Sequence, residues 1–190
     1  VCVRNCESRK KTPRAWRMDD GRTWTFTPTY TRGYQARPLE LRFNGHYHHY
    51  AWLGLERVIV VQPNAYRDDN TVTLKAMKEL GKAAKGVAVV MPGTPQAELE
   101  RLTKAGICAV RIMTLHNGTL GFDVMDEVMA QVHPFRWHAN IQLDGRLLPN
   151  YEAQIKRLPG KFVIDHTGKF LEPVSPEHEA FKSLLRLVDT

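Results

Sequence analysis

No stretch of the sequence approaches the roughly 18 apolar residues that a membrane helix requires. The first residues, "VCVRNCESRKK", lack the apolar segment of a secretory signal, so a cytoplasmic location is the expectation. Cysteine is scarce. Cys2, Cys6 and Cys108 are odd in number, and Cys2 with Cys6 is too sparse a pair for a disulfide framework or a zinc site. All three read as free thiols, with Cys108, inside the apolar "GICAVRIM", as an inert core residue. No GxGxxG follows any strand-like run, which leaves a dinucleotide-binding reading without support.

What is present is a chain of 190 residues, 43% hydrophobic and 25% charged, enough to bury a sizeable core. Its net charge of +7 is unevenly placed. Residues 1–57 carry 11 Lys/Arg against 5 Asp/Glu, whereas residues 58–190 carry 16 against 15. The basic segment also holds Trp16, Trp24, Tyr30, Tyr34 and three histidines, the composition of a stacking, phosphate-binding surface. It contains no recognisable nucleic-acid motif, so a nucleic-acid partner is not the expectation. His46 and His48 in "FNGHYHHY" stand at i and i+2, where one strand face could present both to a metal. A solvated histidine cluster is the competing reading.

From Leu55 onward, short apolar runs alternate with amphipathic stretches. "ERVIVVQ", "GVAVVMP", "CAVRIMT", "HANIQLDG" and "KFVIDHT" read as strands. "DNTVTLKAMKELGKAA", "TPQAELERLTKAG", "FDVMDEVMAQV", "NYEAQIKRL" and "SPEHEAFKSLLRLV" read as helices, with Asn70 and Thr94 as N-caps and Gly106 as a stop. Phe162 to Ile164 read as a strand buried on both faces. The alternation predicts an α/β fold with a parallel sheet, either open and doubly wound or closing into a barrel. In either case the strands' carboxyl ends are where ligands bind. Those ends carry Gln62, Met91-Pro92, Arg111, Gln142 and Asp165-His166.

The segments "GLERVIVVQPNAYRDDN", "AKGVAVVMPGTPQAELERLTKAGICAVRIM", "WHANIQLDGRLL" and "FVIDHTGK", within residues 53–188, resemble the branch of the amidohydrolase superfamily that includes 2-pyrone-4,6-dicarboxylate lactonase. The resemblance implies a TIM-barrel-like fold, here a partial barrel of five to six (β/α) units over residues 51–190, after an irregular basic segment at 1–50. It also implies a hydrolase that opens lactones or related esters of carboxylated small molecules by water attack. His166 then inherits the substrate-facing histidine after the sixth strand, and Arg111 the carboxylate-binding arginine of the fourth. Gln142 stands where relatives place a tyrosine or similar polar group, and Lys169 where they often have arginine. Asn117 stands where the lactonase has a second carboxylate-binding arginine. The family's His-x-His pair would fall in "TPRAWRMDDGRT", which has no histidine, and its eighth-strand aspartate would lie beyond Thr190. An incomplete or frame-disturbed reading of a longer gene is the expectation, along with exposed sheet edges and self-association.

The residues carry their own readings beside this one. Arg111 sits on an apolar strand and needs a negative partner, either a substrate carboxylate or Asp144 or Asp165. Asp165 points away from His166 if the strand persists, which favours a structural role. Gln62, Asn64 and Tyr66 follow a strand ended by Pro63, and serve either as pocket lining or as turn chemistry. The candidate site is therefore His166 as catalytic group, with Arg111, Gln62, Tyr66, Gln142 and Lys169 binding substrate. No metal and no cofactor are expected. His116, His133, His138 and His178 read as loop or helix-edge residues in surface or packing roles. The rival functions are an inactive relative that binds an anionic small molecule, and a basic nucleic-acid-associated protein.

Overall fold

The computed structural model describes residues 57–115 and 118–189, together with the backbone of two short strands, β1 (Ala15–Arg17) and β2 (Thr23–Thr25). The expectations placed on Cys2, Cys6, His46, His48, His116 and Asn117 lie outside the described residues. Two compact units are present, Val1–Leu41 and Arg42–Thr190. In the first, β1 and β2 pair antiparallel with Trp16 opposite Trp24.

The second unit is built from five parallel strands: β3 (Val58–Val61), β4 (Ala84–Ala88), β5 (Ile107–Met113), β6 (His138–Gln142) and β7 (Phe162–Ile164). The helices α1 (Thr71–Leu80), α2 (Gln96–Lys104), α3 (Met125–Val132) and α4 (Leu148–Lys156) connect them, and α5 (Glu179–Val188) follows. Strand order in space equals strand order in sequence, β3-β4-β5-β6-β7. A doubly wound sheet reverses direction at a switch point; this one never does, so it is the wall of a half-barrel.

The core lies between sheet and helices. Val110 and Ile112 of β5 and Ala139 and Ile141 of β6 turn to that side and meet Leu99, Leu102, Val128, Met129 and Val132, all nearly or wholly buried. Burying each of the Val, Ile, Leu and Met side chains among them is worth about 1.5–3 kcal/mol. Trp137 is buried with them, and its indole N–H donates to Thr103 Oγ1 at 2.9 Å. The alternate residues of the same strands, Ala109 and Arg111, Asn140 and Gln142, therefore face the inside of the curve. A register shift between Gly86 and Val87 sets that phase: Gly86 is opposite Ile107, but Val87 is opposite Ala109.

Several local expectations need correction. Thr94 is not the cap of α2. Pro95 takes that position, and the Thr94 hydroxyl donates to the Met91 carbonyl at 2.7 Å. Asn70 stands at the start of α1, but its carboxamide clamps the backbone of Val89 instead, accepting from the N–H at 3.0 Å and donating to the C=O at 2.8 Å. Asp69 caps α1 by accepting from the Thr71 N–H at 3.0 Å. His138 begins β6 rather than lying in a loop, and burial holds its pKa below the usual histidine value. β7 is not buried on both faces. It is an edge strand among the described residues, and its inward-facing Val163 is 46% exposed. Among the described residues no helix is long and apolar enough to cross a membrane.

Candidate active site

The carboxyl ends of β3, β5, β6 and β7 converge on one hydrogen-bonded line. Arg111 donates through Nη1 to the Gln62 backbone carbonyl and through Nη2 to Gln142 Oε1. Gln142 turns its Nε2 toward His166 Nδ1, 3.4 Å away, and that nitrogen also lies 3.0 Å from Asp165 Oδ2. Because a guanidinium only donates, its bond to Oε1 fixes which end of the Gln142 amide faces the imidazole.

The charges around Arg111 differ from expectation. Asp144 is not its partner. That carboxylate accepts from Arg146 Nε at 2.8 Å and from the Arg146 backbone N–H at 3.1 Å. The Arg146 bonds hold its pKa below the ordinary carboxylate value despite burial. Arg146 reaches on to Glu172 at 2.6 Å, so the trio fastens the segment after β6 to the segment after β7. Asp165 in turn faces His166. The strand stops at Ile164, which removes the alternation that would have sent the two side chains to opposite faces.

Beyond Ile164 the backbone runs through four left-handed residues, His166 (φ 54°), Thr167 (52°), Gly168 (83°) and Lys169 (42°). Each non-glycine residue there costs roughly 1–2 kcal/mol. The Lys169 N–H closes the turn on the His166 carbonyl at 2.9 Å. Gly145, after β6, lies so close that an added Cβ would be 2.5 Å from the Gly168 carbonyl oxygen. The turn is thereby pinned, and the His166 side chain, 25% exposed, is presented at the rim.

Of the six expected site residues, Arg111, Gln142 and His166 come together. The Gln62 side chain does not join them. It is fully buried on the helix side, donating to the carbonyls of Arg67 at 3.1 Å and Asp69 at 2.7 Å and accepting from the Thr73 hydroxyl. Strand phase explains this, since Val61 occupies the inward position and Gln62 the next one out. Tyr66 lies half-buried in a 3-10 turn, Asn64–Tyr66, beyond the end of β3. Lys169 contributes through its backbone, and its carbonyl accepts from the Gly145 N–H at 3.4 Å.

Two residues were missed in the sequence. Asp165 contacts the imidazole directly. Asn140, paired in register with Arg111, is 7% exposed and has a buried Oδ1 without a hydrogen-bond partner. Its place two residues before Gln142 on a strand was the available signal. Among the described residues no three His, Cys, Asp or Glu side chains gather around a point that could hold a metal.

A family model described as Amidohydrolase matches residues 13–190. The D-galactarolactone isomerase of Agrobacterium fabrum is 34% identical over 138 residues, which is 73% of this chain and 47% of that protein. The 2-pyrone-4,6-dicarboxylate hydrolase of Comamonas testosteroni is 32% identical over 120 residues, 62% of this chain and 39% of that one. A ligand-free crystal structure from Agrobacterium tumefaciens superposes with a TM-score of 0.72 at 32% identity, covering 77% of this chain and 54% of that chain. The chain thus spans less than half the length of these two curated relatives.

Proposed function

The chain belongs to the amidohydrolase family, in its lactonase-like branch, and on that premise we propose that it takes part in opening the ring of a carboxylated lactone by water attack. The observation that carries this reading is the Arg111–Gln142–His166 line across three strand ends. Arg111 offers a bidentate fork to a substrate carboxylate, at a rim where desolvation strengthens the pairing. His166 acts beside it on the reacting ester, holding or moving a proton as the carbonyl carbon is attacked and the ring oxygen leaves. Gln142 ties the two together, so that the carboxylate anchor and the imidazole keep a fixed separation.

A second reading is favoured by the relative named an isomerase. The same carbonyl-activating site would serve attack by a hydroxyl of the substrate itself, which moves the lactone rather than opening it. The purified protein is incubated with a panel of sugar-acid lactones and 2-pyrone carboxylates in ¹⁸O-water. Hydrolysis places label in the product carboxylate, and isomerisation gives an unlabelled lactone. Arg111→Met should raise KM for carboxylated substrates about 10-fold or more beyond any change it causes for uncharged lactones, a differential loss of about 1.4 kcal/mol or more, while the freed Gln142 amide lowers turnover of both. Absence of both turnover and binding across the panel would remove the proposal.

A further inference from the structure

A groove of about 600 Å³ lies between the carboxyl ends of α1 and α2. Ala84 and Lys85 open β4 there, and Gly106 stands just before β5, so the groove sits at the amino ends of the strands, opposite the rim that carries Arg111 and His166. Its volume is within the range of small-molecule sites. Among the described residues its lining carries Lys78, Lys82, Lys85, Arg101 and Lys104 and no acidic side chain. Glu98 neutralises Arg101 through two bonds of 2.7 Å, whereas the four lysines make no ion pair among the described residues. A cation suits the last turn of a helix, which accounts for Lys78 of α1 and Lys104 of α2. Lys85 is on a strand, and no helix end explains it. Four like charges gathered from α1, the turn Gly81–Ala83, β4 and α2 repel one another across one opening, and an anion seated among them relieves that repulsion.

Beneath the ammonium groups the groove is apolar. Leu74 is half-buried and Met77 almost wholly buried, both packed into the core. Gly106 keeps the floor bare, since a Cβ there would stand 3.2 Å from Met77 Cε and 3.8 Å from Lys85 Cδ. The Lys85 stem therefore runs beside the floor that Met77 supports. A simple inorganic anion would use the charges alone. A ligand with a flat apolar body and several negative charges uses both halves of the groove, and lysine meets phosphate as a point charge without demanding a fixed geometry. We infer that this groove is a binding site for a nucleoside di- or triphosphate, with its base on the Leu74–Met77–Gly106 floor and its phosphates among Lys78, Lys82, Lys85 and Lys104. Such a ligand carries about three to four negative charges near neutral pH, which matches the four unpaired lysines. The site is separate from the lactone chemistry and does not rest on it.

Isothermal titration of the full chain at low salt with ATP, ADP, inorganic tripolyphosphate, citrate and adenosine reads the site directly. ATP and ADP should each bind at one site with a Kd below about 1 mM, tighter than tripolyphosphate or citrate, and adenosine should bind more weakly than any of them. Lys85→Gln and Lys104→Gln should each weaken ATP about 5-fold. Ala105→Glu, at an exposed position of the lining, should abolish binding by placing a carboxylate among the phosphates. Lys182→Gln on α5 and Arg111→Met at the opposite rim should leave the affinity unchanged. Absence of saturable binding, binding that Arg111→Met removes, or binding that survives Ala105→Glu overturns the proposal. Tripolyphosphate or citrate binding as tightly as ATP overturns it too, because charge attraction would then act with no part for the apolar floor. Melting curves without ligand identify any variant that fails to fold, and the two lysine variants, both at exposed positions, then carry the decision.

Discussion

Gly145→Ala is the sharpest perturbation of this architecture, because a single methyl group is placed against backbone rather than against a side chain that could swing away. The new Cβ would lie 2.5 Å from the Gly168 carbonyl oxygen and 2.9 Å from two Phe170 ring carbons, where ordinary contact begins near 3.4 Å. The turn that carries His166 must therefore retreat by roughly 0.5–0.9 Å, or the segment after β6 must move the other way, an overpacking cost of about 1–3 kcal/mol. In a chain of this size that lowers the melting temperature by about 2–4 °C for each kcal/mol. Because the displaced peptide is two residues past His166, turnover should fall on the order of 100-fold, the usual penalty for an ångström of misplacement. Gly93→Ala is the control. Gly93 also has positive φ (78°) but nothing within 4 Å of the added Cβ, so it should show backbone strain of about 1–2 kcal/mol with turnover intact. Thermal unfolding and lactone turnover on the two variants separate the cases. A Gly145→Ala protein with wild-type stability and turnover would mean that the two segments do not press on each other, and the pinning of His166 would have to be abandoned.

Asn140→Leu removes a buried acceptor that has no partner, so the variant should be as stable as the wild type or up to about 1 kcal/mol more stable, while binding of a carboxylated lactone weakens. Calorimetry with and without ligand checks both halves, and a loss above about 2 kcal/mol would assign Asn140 a structural partner. A separate expectation concerns acid. Glu152 on α4 is held well below the ordinary carboxylate range, first by its hydrogen bonds with Arg186 of α5 and also by Lys156. A depressed carboxylate contributes stability above its unfolded value near 4.5 and loses it as pH falls through and below that value. Arg186→Met should therefore flatten the decline of stability between about pH 5 and pH 3, and an unchanged slope in urea titrations would show that the α4–α5 pair contributes nothing to folding.

The order and type of elements were legible because period-two and period-3.6 patterns alternate cleanly after Leu55. The choice of barrel wall over doubly wound sheet was not, since it depends on which strands become neighbours, a tertiary fact that periodicity does not encode. Site legibility failed at specific residues for the same reason. Gln62 and Arg111 look equivalent in the sequence, each a polar residue at or near an apolar strand's end. Yet strand phase sends Gln62 to the helix side, and the register shift between Gly86 and Val87 leaves Arg111 facing inward. Asp165 was misjudged because alternation was carried one residue too far. The strand ends at Ile164, and the left-handed run from His166 to Lys169 contains only one glycine to announce it. Such a run of non-glycine residues is stable only where surrounding packing outweighs its strain, here through Gly145, Phe170 and the Asp144–Arg146–Glu172 fastening. The residues that hold the imidazole in place are thus spread over two segments more than 20 positions apart, and none of them carries a motif of its own. The chemistry-bearing side chains could be picked out one at a time from residue type and position. Their connection into one line depended on a bulge, a strand end and two glycines.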